Sequence, residues 1–250
     1  MILKRLPATP FEGGHELIVV PATQEGTLPA GVPKSVDTAV SSALERGTFR
    51  GKAGDKLSLV GTVAPDCEVL VVGVGPADEL DSEGCRAFAG RAVRAAERTR
   101  RETLAVCIPH TGTGDSTDRA RAVAEGVVLA SWRFRDLKTA DPDEVGPDVT
   151  SAHLWIQSKK SKKPDSIDAA IERGRAVGLG ENLTRTLQIH PGNLMTPTLL
   201  AEQAQRMAKE AGMHCEIWGP KRLEKERMHA LLSVSHGSDE EPRLIILRYD

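Results

Sequence analysis

His214, His229 and His236 stand in one stretch with Asp239, Glu240 and Glu241, and imidazoles beside carboxylates are the donor set that zinc and related ions prefer. Their spacing speaks against a metal site. There is no H-x-x-x-H on a helix, and no compact ligand cluster forms. Ser233 and Ser235 sit near the same histidines but lack the G-x-S-x-G elbow that exposes a nucleophile, so Ser-His-Asp chemistry is not indicated. Cys67, Cys85, Cys107 and Cys215 form no C-x-x-C pair and no dense framework, which fits buried thiols in a reducing compartment and a cytoplasmic protein. Gly73-Val-Gly75 follows an apolar run and precedes a helix, as the first half of a phosphate-cradling turn would. Asp78 occupies the place of the third glycine of G-x-G-x-x-G, however, and its carboxylate would repel a phosphate. A plain strand-to-helix turn is the favoured reading, with a non-catalytic module for a nucleotide-like ligand or for subunit contacts as the alternative.

The elements that position these residues alternate. Glu16–Val20 reads as a strand, and Val36, Ala39, Val40, Ala43 and Leu44 fall on one helical face that Gly47 closes. Leu57–Val60 and Val69–Val72 read as strands. A long helix is predicted from Ser82 as N-cap to Arg101, with Cys85, Phe88, Ala89, Ala92, Val93 and Ala96 inward. Thr103–Ile108 is a further strand and Ser116–Arg133 a further helix. After the loop TADPDEVGPD comes the strand His153–Gln157. Strands separated by helices of this length imply an α/β domain, its mixed, largely parallel sheet covered by helices on both faces.

Ser158–Pro164 (SKKSKKP) is a polar, basic break, read as a solvated loop because aromatic partners for nucleic acid are missing. The expected organisation is an N-terminal α/β domain over 1–160, a linker and connecting helix over 161–190, and the incomplete start of a second α/β domain over 191–250. In that last part Thr196 suits an N-cap, Pro197 suits the first helical position, Met195 can staple against Leu200, and Gly212 ends the helix before the strand His214–Trp218. Leu244-Ile-Ile-Leu247 is a continuous apolar run, which in a strand predicts burial on both faces. Few preceding residues are available to cover it, so the protein is expected to continue beyond Asp250. The 250 residues are 40% hydrophobic and 27% charged with a net charge of -2, which provides no overall field for nucleic acid or an anionic membrane. No stretch approaches eighteen apolar residues, and the N-terminus has no apolar core of secretory length, so neither a membrane span nor a signal peptide is expected.

Several ordered motifs together resemble the leucyl aminopeptidase (cytosol aminopeptidase) family. From Ala170 to Tyr249 they are ERGRAVGLGENLTRTL (172–187), PGNLMTPTLLAE (191–202), MHALLSVSHGS (228–238) and EPRLIILRY (241–249). Upstream, FRGKAGD (49–55), the strand-turn Val69–Gly75 and EGVVLASWRF (125–134) match that family's N-terminal domain in order and spacing. The resemblance implies a two-domain, two-metal exopeptidase, commonly hexameric, that removes N-terminal residues from peptides. Two divalent ions, manganese or zinc, would activate the attacking water. The family's metal ligands lie in a G-K-G followed by F-D-x-G-G segment and an N-T-D-A-E-G-R segment, neither of which occurs here. Lys52 matches a different, non-catalytic family position. The resemblance therefore assigns no catalytic, cofactor-binding or metal residue to this chain, which by itself is expected to be inactive. His190, His229 and His236 depart from the residues usual at those positions.

Overall fold

Apolar runs long enough for a strand and too short for a helix set the centre of the larger sheet. The computed structural model describes residues 1–250 except 13, 138, 140–146, 157–163 and 250. Its strands β1 (Ile2–Arg5), β2 (Leu17–Ala22), β3 (Lys56–Val60), β4 (Glu68–Gly73), β5 (Thr103–Cys107) and β6 (Ser151–Trp155) form one sheet in the order β1-β6-β5-β2-β4-β3. All neighbours pair in parallel except β3 and β4. β2 is buried at every position and β4 at all but its first, as strands covered on both faces must be.

Helix α1 (Lys34–Glu45) covers one face, packing Val36, Val40 and Ala43 against Ile18, Val20, Val69, Val71 and Ala105. Helices α2 (Ser82–Arg98) and α3 (Ser116–Ser131) cover the other, with Phe88, Ala92, Val123 and Val127 against Leu17, Val19, Leu70 and Leu104. The expected mixed, largely parallel α/β architecture is present. Small side chains on α2 and α3 allow the two helices to approach closely. A Cβ at Gly126 would lie 2.5 Å from the carbonyl oxygen of Arg86 on α2, so any larger residue there would push the pair apart.

Among the differences from the sequence expectations, β6 begins at Ser151 rather than His153, and three more concern α2 and β1. The N-cap of α2 is Asp81, not Ser82: its carboxylate accepts from the Gly84 amide at 2.8 Å, satisfying a donor at the helix start. That helix stops at Arg98 rather than Arg101, because Arg100 turns the chain at φ 55°. Arg101 then turns back to the Glu68 carboxylate at 2.6 Å. The third is β1, for which the four-residue run ILKR offered no periodic signal; it is held at the sheet edge by β6, by burial of Leu3 and by the Arg5–Asp168 ion pair at 2.7 Å.

The chain divides into two compact units, Met1–Asn182 and Leu183–Asp250. Helix α4 (Pro164–Ile189) contributes Ile167 and Ile171 to the core of the first, and Asn182 donates from its amide to the Val128 carbonyl at 2.8 Å. The lysine-rich break lies in residues 157–163, outside the described residues, as do parts of the 139–148 loop. The second unit holds α5 (Pro197–Ala211), β7 (His214–Trp218), α6 (Pro220–Lys225), α7 (His229–Ser235) and β8 (Leu244–Arg248). Thr196 caps α5 through its hydroxyl, Pro197 follows at the first turn, and Gly212 ends the helix at φ 67°, as expected. β7 and β8 pair antiparallel in a two-stranded sheet. The expected double burial of the Leu244–Leu247 run is not reached: its first three residues are half-buried and Leu247 is 39% exposed. Two strands with three helices among the described residues of the unit do not cover both faces.

Candidate functional site

The carboxyl ends of β2, β4 and β5 are where an open α/β sheet places its ligands, because the helices that follow adjacent strands there leave for opposite faces. In this chain that edge is occupied by the protein itself. The FRGKAGD segment folds over the Gly73–Gly75 turn so that the Gly73 amide donates to Asp55 O at 2.8 Å and the Gly75 amide to Gly51 O at 2.9 Å. The Val74 amide donates to Ala22 O at 2.9 Å, and Gly75 O accepts from the Gln24 amide at 3.0 Å. A Cβ at Gly73 would lie 2.1 Å from the Lys52 carbonyl oxygen, so only glycine admits the crossing chain. A phosphate cradle needs free amides. All three of this turn are satisfied by backbone carbonyls, so the nucleotide-like reading of Gly73-Val-Gly75 has no donors to work with, and the turn is a structural lock. Asp55 completes the lock, its carboxylate accepting from the amides of Arg50 and Lys52 at 3.2 and 3.3 Å.

The loop after β5 is fixed from beneath. Arg119 on α3 is buried and donates to three carbonyls, Pro109 O at 3.0 Å, Gly114 O at 2.9 Å and His110 O at 3.3 Å. Burial, then the Arg119 charge, lowers the His110 pKa from its ordinary value. Spacing alone did not mark Arg119, because its partners are main-chain carbonyls. The EGVVLASWRF motif also proves architectural: Glu125, buried on α3, pairs with Arg86 of α2 at 2.8 Å, and Arg133 pairs with Glu97.

The remaining sequence candidates do not converge. His214, on β7, sits opposite Arg248 in the sheet register, His229 opens α7, and His236 caps its end; all three are exposed, as are Asp239, Glu240 and Glu241. Ser233 and Ser235 donate to the carbonyls of Ala230 and Leu232, both at 2.8 Å, in ordinary helical back-bonding. Cys67, Cys85 and Cys107 are free and buried. Burial pushes the Cys85 thiol up to about 11 and also raises Cys67 and Cys107, the opposite of what a nucleophilic thiolate requires. Among the described residues no three His, Cys, Asp or Glu side chains are grouped to hold a metal ion. The described residues therefore do not fit a dinuclear metal centre. No helix among the described residues is long and apolar enough to cross a membrane.

One pair that the sequence did not mark is His15 and His153, which lie 138 positions apart in the chain with ring centroids 5.1 Å apart at 69°. No local spacing could reveal it, because the chain fold alone brings the two rings together.

The first unit is a three-layered α/β domain, its sheet lying between α1 and the α2–α3 pair and locked by FRGKAGD over the β4 turn, and a freshly capped helix and strand open the second. The N-terminal domain of the cytosol aminopeptidase family matches residues 19–141, and that family's catalytic domain matches residues 182–250. The chain belongs to the cytosol aminopeptidase family. A probable cytosol aminopeptidase of Acidobacterium capsulatum is 34% identical over 219 residues, 86% of this chain and 42% of the relative. One from Syntrophotalea carbinolica is 32% identical over 222 residues, 86% and 44%. The chain thus spans about half the length of the curated relatives it matches. Among solved structures, a mutant of tomato leucine aminopeptidase aligns with a TM-score of 0.78 at 21% identity, over 99% of this chain and 50% of that one. The bottromycin maturation enzyme BotP, also solved in complex with Mn, aligns with a TM-score of 0.73 at 24% identity over 95% and 46%. These two likenesses concern the fold.

Proposed function

We propose that this chain serves a metal-dependent aminopeptidase that removes N-terminal residues from peptides, as its N-terminal α/β domain with a connecting helix and the opening of the catalytic domain. The observation that carries this reading is the ordered match of both family domains, at 19–141 and then 182–250. Within it, the first 160 residues scaffold the enzyme. The chemistry belongs to family segments absent from this sequence, where two divalent ions, manganese or zinc, would polarise the scissile carbonyl and activate water. The Mn-bound BotP structure is consistent with manganese as one such ion. Peptides with free N-termini as substrates, assembly of copies into a hexamer and a cytoplasmic location belong to the same reading.

The 250-residue chain by itself is then inactive. The test is hydrolysis of leucyl p-nitroanilide with added manganese by the native gene product purified from its source, with the 250-residue chain in parallel. Turnover by the first and none by the second is expected. A native product that cleaves no aminoacyl substrate with manganese or zinc would overturn the aminopeptidase assignment. Metal-dependent turnover by the purified 250-residue chain would overturn its role as a scaffold without chemistry.

A further inference from the structure

β1 and β2 run parallel with β6 and β5 between them, so the chain from Leu6 to Glu16 must cross two strands, about 14 Å over three strand spacings, to connect them. The described residues of this strap include one 3-10 turn (Pro10–Glu12), and Leu6 and Phe11 pack on the face of the sheet that carries α1. Two ring contacts fasten the strap to β6. Phe11 meets Trp155 edge-on with centroids 6.0 Å apart, and His15 meets His153, which shares the Trp155 face of the strand by the two-residue period.

The first contact is indifferent to pH and the second is not. His153 Nε2 lies 3.2 Å from the Ser151 hydroxyl, while its Nδ1 is buried and finds no hydrogen-bond partner among the described residues. The surroundings are poor in compensating charge. On β1 the register partner of His153 is Lys4, and on β5 it is the apolar Ala105. On the strap, Glu16 is drawn toward Arg101 at 3.9 Å, Glu12 is exposed, and neither imidazole is hydrogen-bonded to a carboxylate among the described residues. A proton on His15 would therefore place a cation against the other imidazole, and one on His153 Nδ1 would place a cation beside Lys4 with a buried N–H left unsatisfied.

We propose that His15 and His153 form an acid-released latch, holding the strap and the edge strand β1 on the sheet while both rings are neutral and freeing them when either is protonated. Both groups titrate below the ordinary imidazole value of 6.5: His15 through burial and then the His153 charge, His153 through burial and then Lys4. The unfolded strap thus binds protons more readily than the folded one. The latch is fully closed above the ordinary imidazole pKa and opens as the pH falls through the lowered values.

Hydrogen exchange read by mass spectrometry on the 250-residue chain tests this, with rates corrected for the intrinsic effect of pH. The reporters are the amides of Ile2 and Leu6, which donate to Thr150 O at 2.7 Å and Leu154 O at 2.8 Å. Between about pH 7.5 and about pH 5 their protection is expected to fall several-fold while that of β4 is unchanged, and His15→Gln, His153→Gln and the double variant should abolish the difference. His15→Gln alone is decisive if the His153 variants fail to fold, because His15 lies outside the sheet. The same pH response in wild type and His15→Gln would overturn the latch. So would an NMR titration placing both imidazoles at or above the ordinary value. Neither readout depends on peptidase activity.

Discussion

Residues 1–182 and 183–250 are assembled from the same kinds of element and differ in what those elements bury. In the first unit β2 and β4 lie between α1 on one side and α2 and α3 on the other, and their Val, Ile and Leu side chains are almost wholly removed from solvent. In the second, the fully buried apolar residues among those described are Ala201, Ala208 and Leu223, while the Leu-Ile-Ile-Leu run of β8 is half-buried at best. Apolar character therefore sets the capacity for burial, and the number of layers sets how much of it is realised. At about 25 cal/mol per Å² of apolar surface removed from water, the first unit has a large reserve of stability and the second very little.

The widest separation between the units should appear in native-state hydrogen exchange. Amides of β2 and β4 are expected to exchange only through global opening, and those of β7 and β8 through cheap local opening, a difference of roughly a thousandfold or more. Mass spectrometry of peptides covering 17–22, 68–73, 214–218 and 244–248 measures it, and equal protection in the two sheets would erase the contrast. The next largest effect probes the lock in the first unit. Gly73→Ala drives a methyl group into the Lys52 carbonyl oxygen, 2.1 Å away on the unrelaxed backbone, and is expected to cost about 3 kcal/mol or more. Urea unfolding followed by circular dichroism reads the loss. A wild-type midpoint would mean that the FRGKAGD crossing contributes no rigidity.

The contrast also explains what could be read from the residues alone. The strands and helices of the first unit were legible because their periodicities are local and agree with their burial: the Cys85–Ala96 stripe of α2 and the Val69–Val72 run of β4 are buried as expected. β1 was not legible, since four residues carry no period and its place depends on β6, some 150 positions away. The caps of α5 were legible down to Thr196, Pro197 and Gly212, because capping is a property of adjacent residues. Ser82 reads as the cap of α2 although Asp81 takes that place, because both residue types cap well and adjacent positions differ only in geometry. For the candidate site, the missing third glycine favours a plain turn at Gly73–Gly75, but spacing does not show which carbonyls accept from its amides. Arg119 and the His15–His153 pair escaped because their partners are main-chain atoms or residues distant in sequence.

The smallest expected effect separates the units by consequence rather than by size. Asp115 and Thr196 are both N-caps. Asp115 accepts from the amides of Thr117 and Asp118 at 2.8 and 3.1 Å, whereas the Thr196 hydroxyl accepts from the Leu199 amide at 3.3 Å. Replacing Thr196 by Ala should cost about 1 kcal/mol, a typical value for a lost cap. In a unit with three fully buried apolar side chains among its described residues, that is a large share of the local stability. Exchange of the β7 and β8 amides should therefore accelerate about fivefold, the factor that 1 kcal/mol corresponds to, while β2 and β4 do not respond. An equal acceleration in both sheets would show that the two units open as one cooperative body, and the division between them would then describe packing without describing stability.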